Sequence, residues 1–169
     1  IGRNERLAWG FTTTHSDTQD VFVERLAGTG YATPDGPLPF TVREERIAVR
    51  GRAEPEILRV RETRHGPVIS DLDPGAGLPA DTVLAVAMAN LAPRDTAPDG
   101  LLALNRATTL EEARAAAALL TSPPQNLMVA EASGRIAQYL VGRTPIRRSG
   151  DGATPVPGWD GAADWAGFV

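Results

Sequence analysis

Asp17-Thr18-Gln19-Asp20 sets two carboxylates three residues apart in a turn, where they can bracket a hard cation while a backbone carbonyl between them supplies another oxygen. Oxygen ligands of this kind suit calcium. The segment lacks EF-hand spacing, however, and Asp before a strand is also ordinary turn chemistry. Pro123-Pro124-Gln125-Asn126 brings a carboxamide to the entrance of a strand. There its N–H can be aimed at a developing oxyanion, or the side chain can cap a turn. Arg143, Arg147 and Arg148 surround Pro145 and can clamp a carboxylate or pair with internal acids, the second being the default for arginine. His15 and His65 lie 50 positions apart with no paired-ligand spacing, so a catalytic zinc is not indicated and a structural role is expected for each.

Several chemistries are excluded outright. There is no cysteine, hence no thiolate nucleophile, thiolate metal site or disulfide framework. No GxSxG elbow, Walker A segment or GxGxxG fingerprint occurs, which removes the simplest routes to an α/β-hydrolase, an NTPase or a dinucleotide enzyme. The net charge of -4 and the scattering of all 17 cations, every one of them Arg, argue against a nucleic-acid partner. No apolar run is long enough to span a membrane, and the first residues lack the pattern of a signal peptide. At 169 residues, 42% hydrophobic and 22% charged, the chain is suited to one packed globular piece, and both ends read as cut from something longer.

The elements that would position these residues are mixed. Residues 7–14 and 21–26 read as strands joined by the polar stretch that carries Asp17 and Asp20; 28–39 reads as loop; 40–49 and 56–64 read as further strands. Residues 68–70 continue the chain beyond the break at Gly66-Pro67, and 73–79 form another Gly/Pro loop. The continuously apolar run 83–89 predicts a fully buried central strand. A helix is predicted from Thr109, at capping-box spacing from Glu112, to a stop at Pro123-Pro124. Its alanines suit close packing on a sheet. Residues 126–132 and 135–141 make a hairpin around Ser133-Gly134, and a Pro/Gly-rich tail with Trp159 and Trp165 closes the chain. The sum is α+β, without a repeat, a flexible linker or an internal boundary.

Several ordered motifs extend this reading. Ile1-Gly2-Arg3-Asn4-Glu5-Arg6-Leu7-Ala8-Trp9-Gly10-Phe11-Thr12 resembles the I-G-H-N-E-R-I-A-W-G-F-T stretch of the penicillin acylase family, with Arg3 where His is common. Thr63-Arg64-His65-Gly66-Pro67-Val68-Ile69-Ser70 is similar to its T-R-H-G-P-V-I segment, and Gln125-Asn126 to the start of its Q-N-F-x-Y-A-D stretch. Pro155-Val156-Pro157-Gly158-Trp159-Asp160-Gly161 resembles P-V-P-G-W-D-G, followed by a W-x-G-F motif at Trp165.

The resemblance implies an N-terminal nucleophile hydrolase: an αββα sandwich of mostly antiparallel strands, of which residues 1–169 would be a single fragment of the larger chain. It implies a precursor that cleaves itself to expose a serine, upstream of Ile1, which attacks N-acyl amides with its own α-amine as base. Penicillins, acyl-homoserine lactones and other acylated amines are then the substrate class, the remaining segments of the same protein the partners, and the periplasm or exterior the location. Asn126 matches the oxyanion asparagine and the backbone N–H of Thr13 the second donor, while Arg147 matches an arginine supporting the site. Asp17, the carbonyl of Gln19, and Asp20 match a structural calcium loop, with Glu131 where an aspartate is often a further ligand. Phe11, beside the oxyanion donor, either faces an apolar acyl group or packs. A non-catalytic binding or scaffold domain of the same descent is the competing class, separated by whether a serine follows a self-cleavage site upstream.

Overall fold

The computed structural model describes residues 1–73 and 77–169, so residues 74–76 of the expected 73–79 loop lie outside the described residues. In the first half of the chain the strands are β1 (Gly2–Arg3), β2 (Leu7–Thr13), β3 (Gln19–Ala27), β4 (Gly30–Tyr31), β5 (Leu38–Pro39), β6 (Thr41–Ile47), β7 (Glu56–Thr63), β8 (Gly66–Pro67) and β9 (Thr82–Met88). Helices α1 (Ala97–Arg106) and α2 (Leu110–Ala117) follow, then β10 (Gln125–Glu131), β11 (Ile136–Val141), β12 (Pro145–Arg147), β13 (Val156–Pro157) and β14 (Trp165–Phe168). The α+β expectation holds. Contacts gather the chain into two compact units: Ile1–Thr18 with Ala89–Ile146 and Gly167–Val169, and Gln19–Met88 with Arg147–Ala166. None of the four crossings between them falls at a low-complexity linker, so composition carries no sign of them.

The first unit is an antiparallel sheet in the order β1-β2-β10-β11. Alternation sends Leu7, Leu127, Val129 and Val141 into a core shared with Leu104, Leu110, Ala113, Ala116, Ala117 and Leu120 of the helical segment. The small alanines let α2 approach closely, as its sequence suggests. Thr109 caps it by accepting the Glu112 N–H at 3.2 Å, while Glu112 Oε2 reaches back one residue further than a standard capping box, to the N–H and hydroxyl of Thr108. The helix stops at Ala117, short of the expected Pro123. Helix α1 was not foreseen. Its first turn carries Pro98, and a Cβ at Gly100 would stand 2.8 Å from Leu120 and 3.0 Å from the Ala116 carbonyl, so the glycine that weakens the helix signal is what permits close packing. The opposite sheet face exposes Met128, Ile136 and Leu140.

In the second unit β3 lies between β9, antiparallel from Gln19↔Met88 to Arg25↔Thr82, and β13, parallel at Phe22 and Val23. The expected loop 28–39 contains β4 and β5, each two residues long, and part of the expected tail is β13. Pairs this short have no periodicity to read. Strand β9 is not fully buried as its apolar run suggested: Val83, Ala85 and Ala87 are buried while Leu84, Val86 and Met88 are half-buried. Beyond Gly66-Pro67 the chain makes one bridge, Val68 to Ala85, and then a 3₁₀ turn at Ser70–Leu72. Strands β6 and β7 form a hairpin edged by exposed pairs such as Arg59 with Glu44.

Candidate active site

Asn126 lies near the start of β10, opposite Thr12 of β2 and Leu140 of β11, and Thr13 stands opposite Gln125. The carboxamide and the Thr13 peptide are therefore one register step apart on neighbouring strands. Because Leu127 and Val129 take the core side, Asn126 faces the other way, half-buried. Its Oδ1 accepts a hydrogen bond from Gln138 Nε2 at 3.0 Å, and among the described residues no protein acceptor meets its Nδ2. Strand β2 ends immediately after Thr13, where the His15 N–H donates to Thr13 Oγ1 and His15 takes a positive φ of 54°. Strand β1 covers β2 only at Ala8 and Trp9, so among the described residues no strand lies alongside Gly10–Thr13 on that edge. The structure thus brings Asn126 and Thr13 together at one open end of a sheet. Phe11 packs against the helical core, which favours its packing role.

Of the residues expected to hold calcium, Asp20 and Glu131 each have protein partners. Asp20 is buried, and its Oδ2 accepts from Arg147 Nε at 2.8 Å and from Trp165 Nε1 at 2.5 Å, while its Oδ1 accepts from Arg147 Nη2 at 3.1 Å. Arg147 is accordingly an internal ion-pair partner here. Glu131 is engaged by Arg135 and Ser133, and the hydrogen bond from Arg135 holds its carboxyl below the ordinary carboxylate range. Among the described residues no three His, Cys, Asp or Glu side chains gather in a way that could hold a metal. Asp20, as it stands, is neutralised by the bidentate Arg147 guanidinium.

A second buried polar cluster escaped the sequence. On β3 the inward positions Asp20, Phe22 and Glu24 are all buried, so two carboxylates occupy a core face. His65 bridges Glu24 Oε1, 2.7 Å from Nδ1, and Asp164 Oδ1, 2.9 Å from Nε2, and stacks flat on Phe22 at 3.7 Å. Arg64 binds both oxygens of Asp164 and also donates to the Gly158 carbonyl. Burial would raise the Asp164 pKa, but the hydrogen bonds and charges of Arg64 and His65 outweigh it, and the carboxyl is held below its ordinary 3.8. This cluster joins the two motifs around His65 and Gly158 as a structural unit, in keeping with the role expected for His65. The signal for it was the Asp-x-Phe-x-Glu alternation of β3.

An antiparallel sheet with helices packed on one face defines the architectural class of the first unit, and the solved structure of a thermostable penicillin G acylase from Alcaligenes faecalis shares the fold. That structure superposes with a TM-score of 0.77 at 23% identity, over 100% of this chain and 30% of that one. A sequence model of the penicillin amidase family matches residues 1–169, and the chain belongs to that family. It is 37% identical to the acyl-homoserine lactone acylase QuiP of Pseudomonas fluorescens, over 99% of this chain and 21% of that protein. It is 32% identical to the penicillin acylase 2 proenzyme of Pseudomonas sp. strain SE83, over 100% of this chain and 21% of the relative. The chain thus spans about a fifth of the length of these relatives. No helix among the described residues is long and apolar enough to cross a membrane.

Proposed function

We propose that this chain supplies the oxyanion hole of an amide-hydrolysing acylase. The observation that carries the reading is the Asn126 carboxamide, its oxygen engaged by Gln138 and its N–H group unclaimed, one register step from the Thr13 peptide. In the proposed reaction a serine outside this chain attacks the carbonyl carbon of an N-acyl amide, and its own α-amine takes the hydroxyl proton. As the carbonyl oxygen becomes an oxyanion, Asn126 Nδ2 and the Thr13 N–H donate to it. The C–N bond then breaks, the amine leaves with the proton, and water hydrolyses the acyl ester. Loss of one such donor costs about 2.7–4 kcal/mol of transition-state stabilisation in other hydrolases.

The relatives' names support acylated amines, acyl-homoserine lactones and penicillins among them, as the substrate class. The remaining segments of the same protein, self-cleavage of a precursor, and a periplasmic or extracellular location belong to the same reading. The test is the full-length protein on phenylacetyl amides, penicillins and acyl-homoserine lactones, beside an Asn126→Ala variant that still self-processes. We expect a loss of roughly 100-fold or more in kcat. A fully active variant would remove Asn126 from the mechanism, and a processed protein inert on every substrate would favour a scaffold.

A further inference from the structure

A carboxamide is ambiguous as an oxyanion donor, because a half-turn about its last bond exchanges a donor for an acceptor. Which end of Asn126 meets the reacting carbonyl follows from the end its partner engages, and the partner here, Gln138, is itself a carboxamide with its Nε2 turned toward Asn126. Gln138 Nε2 donates to Asn126 Oδ1 at 3.0 Å. We propose that Gln138 is the positioning residue of the oxyanion hole: it pins the Asn126 oxygen and thereby presents Nδ2 as the donor. The inference rests on the oxyanion reading above and adds to it a residue that makes no contact with substrate.

The placement follows from register. In the hairpin of β10 and β11, Asn126 is opposite Leu140 and Met128 is opposite Gln138, so Gln138 is the diagonal neighbour of Asn126 on the same face. Leu140, opposite Asn126 on β11, and Met128, opposite Gln138, are apolar, and among the described residues Thr12, opposite Asn126 on β2, makes no hydrogen bond to the amide. The register itself is locked by the tight turn at Ser133-Gly134, where Gly134 has a φ of 93° and its N–H donates to the Glu131 carbonyl at 2.9 Å. A slip of one residue would carry Gln138 to the core side. Gln138 is exposed in this chain and lies outside its hydrophobic core, and the unfolding midpoint of each variant separates a positioning role from a packing one.

The experiment reverses the polarity of the partner in the full-length protein. In Gln138→Glu the carboxylate only accepts, so Asn126 turns its Nδ2 toward it and offers Oδ1 to the oxyanion; in Gln138→Lys the ammonium only donates and keeps Asn126 as it is. We expect kcat to fall roughly 10- to 100-fold in Gln138→Glu and to stay within about threefold in Gln138→Lys, with KM and the unfolding midpoint of both close to the parent. Ile136→Glu, an exposed carboxylate on the same face but paired with Ala130 and out of reach of Asn126, controls for charge and should remain within about threefold. Equal losses in Gln138→Glu and Gln138→Lys, an unimpaired Gln138→Glu, or an equal loss in Ile136→Glu would each overturn the assignment. Asn126→Ala separates the two levels: if it is impaired while Gln138→Glu is not, only the role of Gln138 falls, whereas a fully active Asn126→Ala removes both.

Discussion

Replacing Gly158 by alanine tests whether the buried cluster around Glu24 is as tightly fixed as its geometry implies. A Cβ at position 158 would stand 2.3 Å from Glu24 Oε2 and 2.7 Å from its Cδ. Neither partner can retreat. The Gly158 N–H donates to the Val23 carbonyl at 2.8 Å and its carbonyl accepts from Arg64 at 2.8 Å, while Glu24 is wholly buried and tied to His65. Position 158 does not have a left-handed backbone, so the cost is steric alone. Overpacking accounts for about 1–3 kcal/mol, and displacement of the hydrogen bond to the carboxylate for about 1.5–3 more, giving about 2.5–6 kcal/mol in all. Denaturant unfolding measures this directly. A double-mutant cycle with Glu24→Ala supplies the sharper check, because removing the carboxylate should reduce the cost of Gly158→Ala to under about 1 kcal/mol. Strict additivity of the two substitutions, or a Gly158→Ala cost within about 0.5 kcal/mol of zero, would refute the reasoning.

Two further outcomes follow from the charges of the second unit. Asp164 has a lower pKa folded than its ordinary 3.8, so its contribution to stability is complete above that value and is lost as pH falls through the folded one. The urea midpoint should therefore drop on acidification below pH 3.8, and Asp164→Asn should flatten that drop; equal slopes in the two proteins would contradict it. Since Arg147 fills both oxygens of Asp20, chelation with EDTA should leave the unfolding midpoint unchanged, while Arg147→Ala should cost about 3–5 kcal/mol by stranding a buried carboxylate. A midpoint raised several degrees by calcium in the unsubstituted protein would show that the guanidinium is not the resident partner.

Much of the scaffold was legible because it is local. Strands β2, β3, β6 and β7 and the β10–β11 hairpin announce themselves by alternation and turn residues, and α2 by Thr109 and Glu112. Helix α1 was hidden by Pro98 and Gly100, residues that argue against a helix until the neighbour that Gly100 must admit is known. The parallel pairing of β13 with β3 is beyond local reading, since it joins residues 156–157 to 22–23.

The candidate site divides along the same line. Asn126 and Thr13 were found through motifs at the ends of predictable strands, and their pairing follows once those strands are neighbours. Arg147 and Asp20, 127 positions apart, were each assigned a role without the other. An acid beside a turn suggests a cation, and only the fold shows that the cation can be an arginine side chain rather than a metal. Gln138 left no trace at all, because a polar residue on the exposed face of a hairpin is what solvent alone would select. Its meaning comes from being diagonal to the single carboxamide on that face whose orientation matters, a relation that register creates and composition does not record.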